Sequence, residues 1–523
     1  MTHEANEYDN DAIGAVCKLN DDFFNAGGRK RHAQVITFGC KMNENDSEKI
    51  MGLLVRMGFA IEQPQQSGKF GNPAPLGALG ELNQDIPLDN ERMPDIVLLN
   101  TCCVRDNAEQ RFYGILGSLK RYKTDDPSRV LAVCGCMAQE DKTIANVLDK
   151  YPHVDFIFGT KSISKLPSLL LDTYKRRGSG YAKKAKPSSR REIPIMNDID
   201  GAGLEDQLPM RRKAPPLALV SIMNGCDNFC SYCIVQYVRG REQSRAPESI
   251  IREVEGLAAC GYREITLLGQ NVNSYGADLN VDFVALLNKL AAIEGIWRIR
   301  FMTSHPKDLS DRLICAIRDL DAVCPQLHLP VQSGSTAVLK RMNRGYSREE
   351  YIELINKLRN AVPDITLTTD VIVGFPGETD SDFEDTLSLV EEAKFDLAYT
   401  FIFSPREGTA AAGYSGRVPD ETIKIRFDRL LALQNNISRA KNIAMLGACC
   451  EVLCEGASKT NDARYTGRTP GGKVVNFDSG ENLSGGSTDS ESDLTGKLVI
   501  VRIDKAGTWS LDGTIIKNAT RRE

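Results

Sequence analysis

Between residues 215 and 445, six short apolar runs alternate with helical ones, and that alternation constrains the fold more than any other feature of the chain. The runs are LALVSIMNGC, EITLLGQNV, WRIRFMTSHP, QLHLPVQSG, ITLTTDVIVGFPG and LAYTFIFSP. Helical patterns separate them, among them PESIIREVEGLAAC, with Pro247 at a first-turn position, and DSDFEDTLSLVEEA. Strands that alternate with helices pair in parallel, because each return crossing is made by a helix. Six such units predict a partial (β/α)6 barrel, an open relative of the eight-stranded one, with its chemistry at the C-terminal strand ends.

The flanks read differently. Residues 31–174 carry three strand-like runs, QVITFGC, DIVLLNTC and RVLAVCGC, each suited to burial on both faces. Helical patterns with capping-type starts follow them, so this region is a parallel α/β sheet domain. Residues 1–30 form an acidic, polar extension expected to be disordered, and the stretch after the first helix reads as a loop insertion. Residues 175–214, with KRRGSGYAKKAKPSSRR, make a basic linker. Residues 446–518 change to short β-rich runs with Gly-Gly and Asp-Gly turns, which predicts a small closed antiparallel β-barrel. The acidic stretch DSGENLSGGSTDSESD interrupts it as a loop.

No apolar run reaches membrane-spanning length, and the N-terminus lacks the basic start and apolar stretch of a secretory signal. A cytoplasmic protein is expected. Fifteen cysteines in such a setting are not a disulfide framework; they point to metal binding or catalysis, the remainder filling the core. A net charge of −5 gives no global field for nucleic acid, so RNA binding would need a local patch.

The segment GCDNFCSYC follows the first barrel strand and sets Cys226, Cys230 and Cys233 as C-x3-C-x2-C. Three close thiolates suit an iron–sulfur cube. Zinc is the rival, but a structural zinc site wants four ligands, and the next cysteine, Cys260, stands at a helix end. Three thiolates on a cube leave one iron open for a substrate or cofactor. A second set is spread over the sheet domain: Cys40, Cys102 and Cys136 each stand at the end of a strand run. Ligands of parallel sheets bind beyond the carboxyl ends of the strands, so the three converge on one edge. Three buried small residues would be the alternative. Cys103 and Cys134 are less suited than Cys102 and Cys136, because strand-end position favours the latter two.

A C-x3-C-x2-C loop after the first strand of a βα barrel resembles the radical S-adenosylmethionine superfamily. TFGCKMNENDSE, NTCCVRDNAE and CGCMAQE resemble the N-terminal domain of methylthiotransferases. YCIVQYVRGRE, GQNVNSYG, FMTSHP, LHLPVQSGS, MNRGYSREEY and FSPREGTAA are similar to the same family. The domain order fits as well, ending in a TRAM domain. This resemblance implies two 4Fe–4S clusters, one held by Cys226, Cys230 and Cys233 and the other by Cys40, Cys102 and Cys136. It implies S-adenosyl-L-methionine bound near Gln270, Asn271 and Asn273 and against Val373 and Gly374. Gly374 and Gly377 would let backbone approach a ligand. It implies radical chemistry that converts N6-isopentenyladenosine beside the tRNA anticodon to its 2-methylthio form. The implied partners are tRNA and an external electron donor of flavodoxin or ferredoxin type, with no membrane and a monomeric chain.

Other residues are weighed on the same footing. Arg464, Arg468, Lys473 and Arg502 in the small barrel are candidates for tRNA phosphates, with solvated charge as the alternative. His305 and His328 lie near barrel strand ends and read first as rim or core histidines. Arg406 also sits at a strand end, as a contact for a carboxylate or phosphate or as a structural residue. Methylthiotransferases acting on threonylcarbamoyladenosine or on a ribosomal protein aspartate remain alternatives, and so does an RNA-binding iron–sulfur sensor without turnover.

Overall fold

The computed structural model describes residues 10–61, 93–103, 106–178, 193–197, 208–458, 461–478 and 493–518. The loop insertion after the first helix, most of the basic linker and the acidic insertion fall largely or wholly outside the described residues. Among the described residues no helix is long and apolar enough to cross a membrane.

The first domain is a parallel sheet of β1 (His32–Thr37), β2 (Ala60–Ile61), β3 (Ile96–Thr101), β4 (Val130–Gly135), β5 (Phe156–Phe158) and β6 (Ile195–Met196), in the order β2-β1-β3-β4-β5-β6. β3 and β4 are buried along their whole length. Their side chains alternate between two cores: Ile96, Leu98, Val130, Ala132 and Cys134 face one, and Val97, Leu99, Leu131 and Val133 face the other. The continuous apolar runs in the sequence are therefore period-two strands covered on both sides.

Two expectations are corrected here. Asn10–Gly27, placed in a disordered extension, forms helix α1. Ile13 and Val16 pack into the first core, and Asn20 Nδ2 donates to the Met57 carbonyl at 2.7 Å. A short apolar stripe at helical spacing suffices because the sheet domain supplies the surface that covers it. The linker is also not a free tether throughout. Ile195–Met196 extend the sheet as its edge strand. Arg211 N–H donates to the Glu48 carbonyl at 2.9 Å, and Arg212 pairs with Glu253.

The central domain has six parallel strands. β7 (Leu217–Ser221), β10 (Glu264–Leu268) and β11 (Arg298–Phe301) form one half. β12 (Gln326–His328), β13 (Thr366–Val373) and β14 (Leu397–Ile402) form the other. A bridge between Ile299 and Val323 joins the halves, and one apolar core runs through both. The short hairpin β8 (Met223–Asn224) and β9 (Gln243–Ser244) closes the base of the cysteine loop.

The third domain is a closed barrel of β15 (Cys449–Ser458), β16 (Asn461–Arg468), β17 (Val474–Asp478), β18 (Leu498–Ala506) and β19 (Leu511–Asn518). It is not wholly antiparallel, since β17 and β19 pair in parallel to complete the closure. Its β16–β17 loop seats on the N-terminal ends of the central strands. Arg298 Nη1 donates to the Arg468 carbonyl at 2.7 Å, and Arg300 donates to the carbonyls of Thr469 and Pro470 at 2.8 Å each. Glu264 accepts from Arg300 Nε at 2.8 Å. The Nη atoms of these buried guanidinium groups find their carbonyl partners only when the third domain is docked.

Arg300→Ala is expected to leave Glu264 and two carbonyls short of a donor and to cost roughly 3–5 kcal/mol, the range for breaking a buried pair. Chemical denaturation measures the loss. Limited proteolysis between Ile443 and Cys449 reports the undocking; a variant as stable and as resistant as the parent would contradict this account of the docking.

Candidate metal centre

The central cysteines lie in the loop that leaves β7. Cys226 N–H donates to the Gly240 carbonyl at 3.2 Å, and Cys233 N–H donates to the Cys230 carbonyl at 3.0 Å. Phe229 takes a left-handed conformation with φ 49 between them. Asn228 Nδ2 donates to Cys226 Sγ at 3.4 Å. Arg344 Nη1 donates to Cys230 Sγ at 3.2 Å, and its Nε reaches the Tyr346 hydroxyl at 2.9 Å. Burial pushes the free Cys226 thiol up to about 11 and the Cys233 thiol up to about 12. Thiols this reluctant to ionise become ligands when a metal draws off the proton.

The sheet-domain cysteines meet at the C-terminal edge of β1, β3 and β4. Cys40 caps helix α2 (Lys41–Arg56), Cys102 follows β3, and Cys136 opens the 3-10 turn after β4. Asn43 is the hub. Its Oδ1 accepts from Cys40 Sγ at 3.1 Å and lies 4.0 Å from Cys136 Sγ. Its Nδ2 donates to Asn100 Oδ1 at 3.1 Å and to the Thr101 carbonyl at 2.7 Å, which fixes the oxygen toward the sulfurs. Cys102 lies against Gly39, where an added Cβ would meet the Cys102 Cβ at 2.1 Å. At Gly135, φ 94, an added Cβ would stand 2.3 Å from Asn100 Oδ1. The glycines before Cys40 and Cys136 let the strand ends close on one another.

The break in the strand at Gly135, φ 94, decides between Cys134 and Cys136. Cys134 faces the first core, and burial raises its pKa well above the usual thiol range. Cys136, two residues on and past the strand end, belongs to the opposite core and lies beside Asn43. A hydrogen bond from Cys102, opposed by burial and aided by Arg239, brings the Cys40 thiol down to about 6. A hydrogen bond from Cys103 lowers Cys136 in the same way and raises Cys103 itself. Cys103 is thus a fourth buried thiol at this edge, beside Cys136.

Among the described residues, no three histidine, cysteine, aspartate or glutamate side chains stand at single-ion spacing. A tetrahedral zinc ion needs four donors converging on one point. Three thiolates, each ligating its own iron, instead suit an iron–sulfur cluster.

At the barrel mouth, Gln270 Oε1 and both polar atoms of Asn273 are buried without a partner, as are Ser304 Oγ and His305 Nε2. Unsatisfied polar atoms gathered in this way mark a place for a polar ligand. Asn271 is different. It donates to Asp308 at 2.7 Å and accepts from His305 N–H at 3.1 Å, so it holds two loops together. The Val373 side chain is in the barrel core. The Gly374 amide donates to Glu378 at 2.9 Å, and a Cβ there would meet Ile423 at 2.7 Å, so this glycine serves helix packing. His305 Nδ1 accepts from Lys307 N–H, and burial with Arg344 nearby drops its pKa to about 2, so it is a neutral donor through Nε2.

The four basic candidates for RNA are all engaged within the chain. Arg464 pairs with Asp478 and Asp512, Arg468 with Glu455, and Arg502 with Asp504. Lys473 pairs with Asp396 at 3.1 Å and donates to Asn442 at 2.9 Å, which ties the third domain to the second. Arg406 pairs with Glu109 at 2.7 Å, between the central and first domains. His328 donates to or accepts from Thr368 at 3.0 Å. Sequence reasoning missed Asn43, Arg239 and Arg344. Each lies within a segment resembling the family, but only folding shows which side chain turns inward.

Residues 220–390 match the radical SAM superfamily, and residues 79–159 match uncharacterized protein family UPF0004. The chain is 47% identical, over 94% of its length and 92% of the relative, to the tRNA-2-methylthio-N(6)-dimethylallyladenosine synthase of Acetivibrio thermocellus. Proteins with the same name from Caldicellulosiruptor saccharolyticus and Clostridioides difficile are 47% and 43% identical. Those matches cover 89% and 97% of this chain and 90% and 96% of the relatives.

In metal-free protein at pH 7, Cys40 is expected to be alkylated well before Cys226 and Cys233, with a labelling rate that is half-maximal near pH 6 and levels off above it. Peptide mass mapping after brief iodoacetamide treatment checks this. Equal rates at Cys40 and Cys233 would contradict the electrostatics described above.

Proposed function

This chain belongs to the family of tRNA-2-methylthio-N(6)-dimethylallyladenosine synthases, and we propose that it places a methylthio group at C2 of N6-isopentenyladenosine beside the tRNA anticodon. Cys226, Cys230 and Cys233 hold one 4Fe–4S cluster, and Cys40, Cys102 and Cys136 hold the other. When bound, the clusters and S-adenosyl-L-methionine supply the radical and the methylthio sulfur that an unactivated aromatic C–H requires.

The residues of the chain bind, orient and shield. Gln270 and Asn273, with their free buried polar atoms, receive the polar end of the cofactor. Asn271 acts indirectly, by fixing the loop that bears them. Val373 and Gly374 contribute shape at the strand end. Neutral His305 offers a hydrogen-bond donor without bringing a charge. Of the basic residues in the small barrel, Arg464, Arg468 and Arg502 would meet tRNA phosphates only by exchanging their carboxylate partners for them, whereas Lys473 serves docking. An external flavodoxin- or ferredoxin-like donor supplies electrons, and the enzyme works as a cytoplasmic monomer.

The observation that carries this reading is the meeting of Cys40 and Cys136 around one fixed amide, Asn43, with Cys102 beside them. Three cysteines separated by most of a domain in sequence are gathered at one strand edge. The helix of the other cysteine loop packs directly on that edge, since Ile234 and Val238 share a core with Cys136.

Iron and sulfide analysis after anaerobic reconstitution tests the ligand sets. Cys102→Ala is expected to lose the iron of one cluster and keep that of the other, with no methylthiolated nucleoside formed. Cys103→Ala is expected to keep both. Mass spectrometry of tRNA nucleosides from cells lacking the gene tests the substrate. Loss of the 2-methylthio-isopentenyl nucleoside supports it; loss confined to a threonylcarbamoyl nucleoside or to a modified ribosomal aspartate would overturn it.

A further inference from the structure

The helix after the central cysteines, Val235–Arg239, ends on an arginine that faces the other cysteine set. Arg239 is only 3% exposed. Its Nη2 donates to Asp46 at 2.7 Å, and its Nη1 lies 3.4 Å from Asn224 Oδ1. The next residue, Gly240, accepts the Cys226 amide at 3.2 Å. One short segment therefore holds both sites: its backbone fixes the Cys226 loop, and its side chain reaches into the sheet domain.

We infer that Arg239 sets the reduction potential of the iron–sulfur cluster held by Cys40, Cys102 and Cys136, as a fixed positive charge buried beside its thiolates. This rests on the reading that those cysteines hold a cluster. The geometry is that of a positioning residue, since Arg239 touches neither substrate nor the cysteines of its own loop. Helix Val235–Arg239 packs on the 3-10 turn that begins with Cys136, with Ile234 and Val238 in one core with Cys136, Met137 and Phe38.

The charges around the site come from every element packed on it. Helix α2 brings Asp46, the turn after β4 leads to Glu140, and the central domain brings Arg239. Arg239 contributes a positive field at the cluster edge, and Asp46, paired with it at 2.7 Å, an opposing one. In a water-poor interior such a field is weakly screened. A cluster gains negative charge on reduction, so a buried cation favours the reduced form and raises the potential.

The test uses full-length protein with Cys226, Cys230 and Cys233 replaced by alanine, reconstituted anaerobically. Iron and sulfide are measured first. If no cluster loads in this background, the ligand assignment fails and the role of Arg239 falls with it. If a cluster loads, a potentiometric titration followed by electron paramagnetic resonance reads its midpoint. Arg239→Gln should move the midpoint to more negative values. Arg239→Lys should restore most of the shift, and Asp46→Asn should move it to more positive values. An Arg239→Gln protein with parental iron content and an unchanged midpoint overturns the proposal. If Arg239→Gln does not load, Asp46→Asn decides, and an unchanged midpoint there also overturns it. In the complementary background lacking Cys40, Cys102 and Cys136, Arg239→Gln should leave the other midpoint in place; an equal shift would show a general structural effect and overturn it.

Discussion

The contact between Arg239 and Asp46 is the interaction on which the arrangement of the two cysteine sets depends. It joins residues 193 positions apart in sequence and is sealed from solvent on both sides. A buried ion pair is seldom retained for stability alone, because desolvation consumes most of the attraction. What it does supply is a single geometry. The guanidinium has to meet the carboxylate, so helix Val235–Arg239 has to lie on the sheet edge, and the Cys226 loop is fixed relative to Cys40 and Cys136. Arg406 with Glu109 makes a further, more exposed ion pair between these domains.

The third domain sits at the other end of the barrel. Cys226 leaves the C-terminal end of β7, while the β16–β17 loop covers the N-terminal ends, where Glu264, Arg298 and Arg300 are buried. The barrel is open as a cylinder, but its lower end is closed by backbone carbonyls from another domain. The chemistry is thereby confined to the mouth, where the sheet domain and the unpaired polar atoms lie. A basic residue such as Lys473, which in the sequence looks available to RNA, is drawn into this closure by Asp396 and Asn442.

Much of this was legible before folding, for identifiable reasons. The C-x3-C-x2-C spacing is local, so it survives as a signal without any tertiary information. The sheet-domain cysteines follow from a rule about strand ends, and the break of β4 at Gly135 explains why Cys136, unlike Cys134, turns to the edge. Helix α1 was missed because its apolar stripe is thin and its stability comes from the sheet domain beneath it. Asn43, Arg239 and Arg344 were missed for a related reason. A polar residue in a surface-like segment gives no sign that distant chain will bury it and call on its hydrogen bonds. Cys103 is disfavoured by strand-end position in the sequence, yet the chain beyond β3 turns it against Cys136.

Each cysteine set has one buried arginine, and the two are used differently. Arg344 donates directly to Cys230 Sγ from a shell of tyrosine hydroxyls and carbonyls, while Arg239 acts through space on Cys40 and Cys136. The thiols differ accordingly. Cys226 and Cys233 are held protonated by burial, up to about 11 and about 12, whereas Cys40 is brought down to about 6. Ligation requires thiolates, so loading the barrel site must expel protons that the sheet-domain site has partly given up beforehand. Burial thus governs Cys226 and Cys233 in the barrel loop, whereas the second set, with its polar amide hub and its borrowed arginine, is shaped by hydrogen bonds between neighbouring thiols.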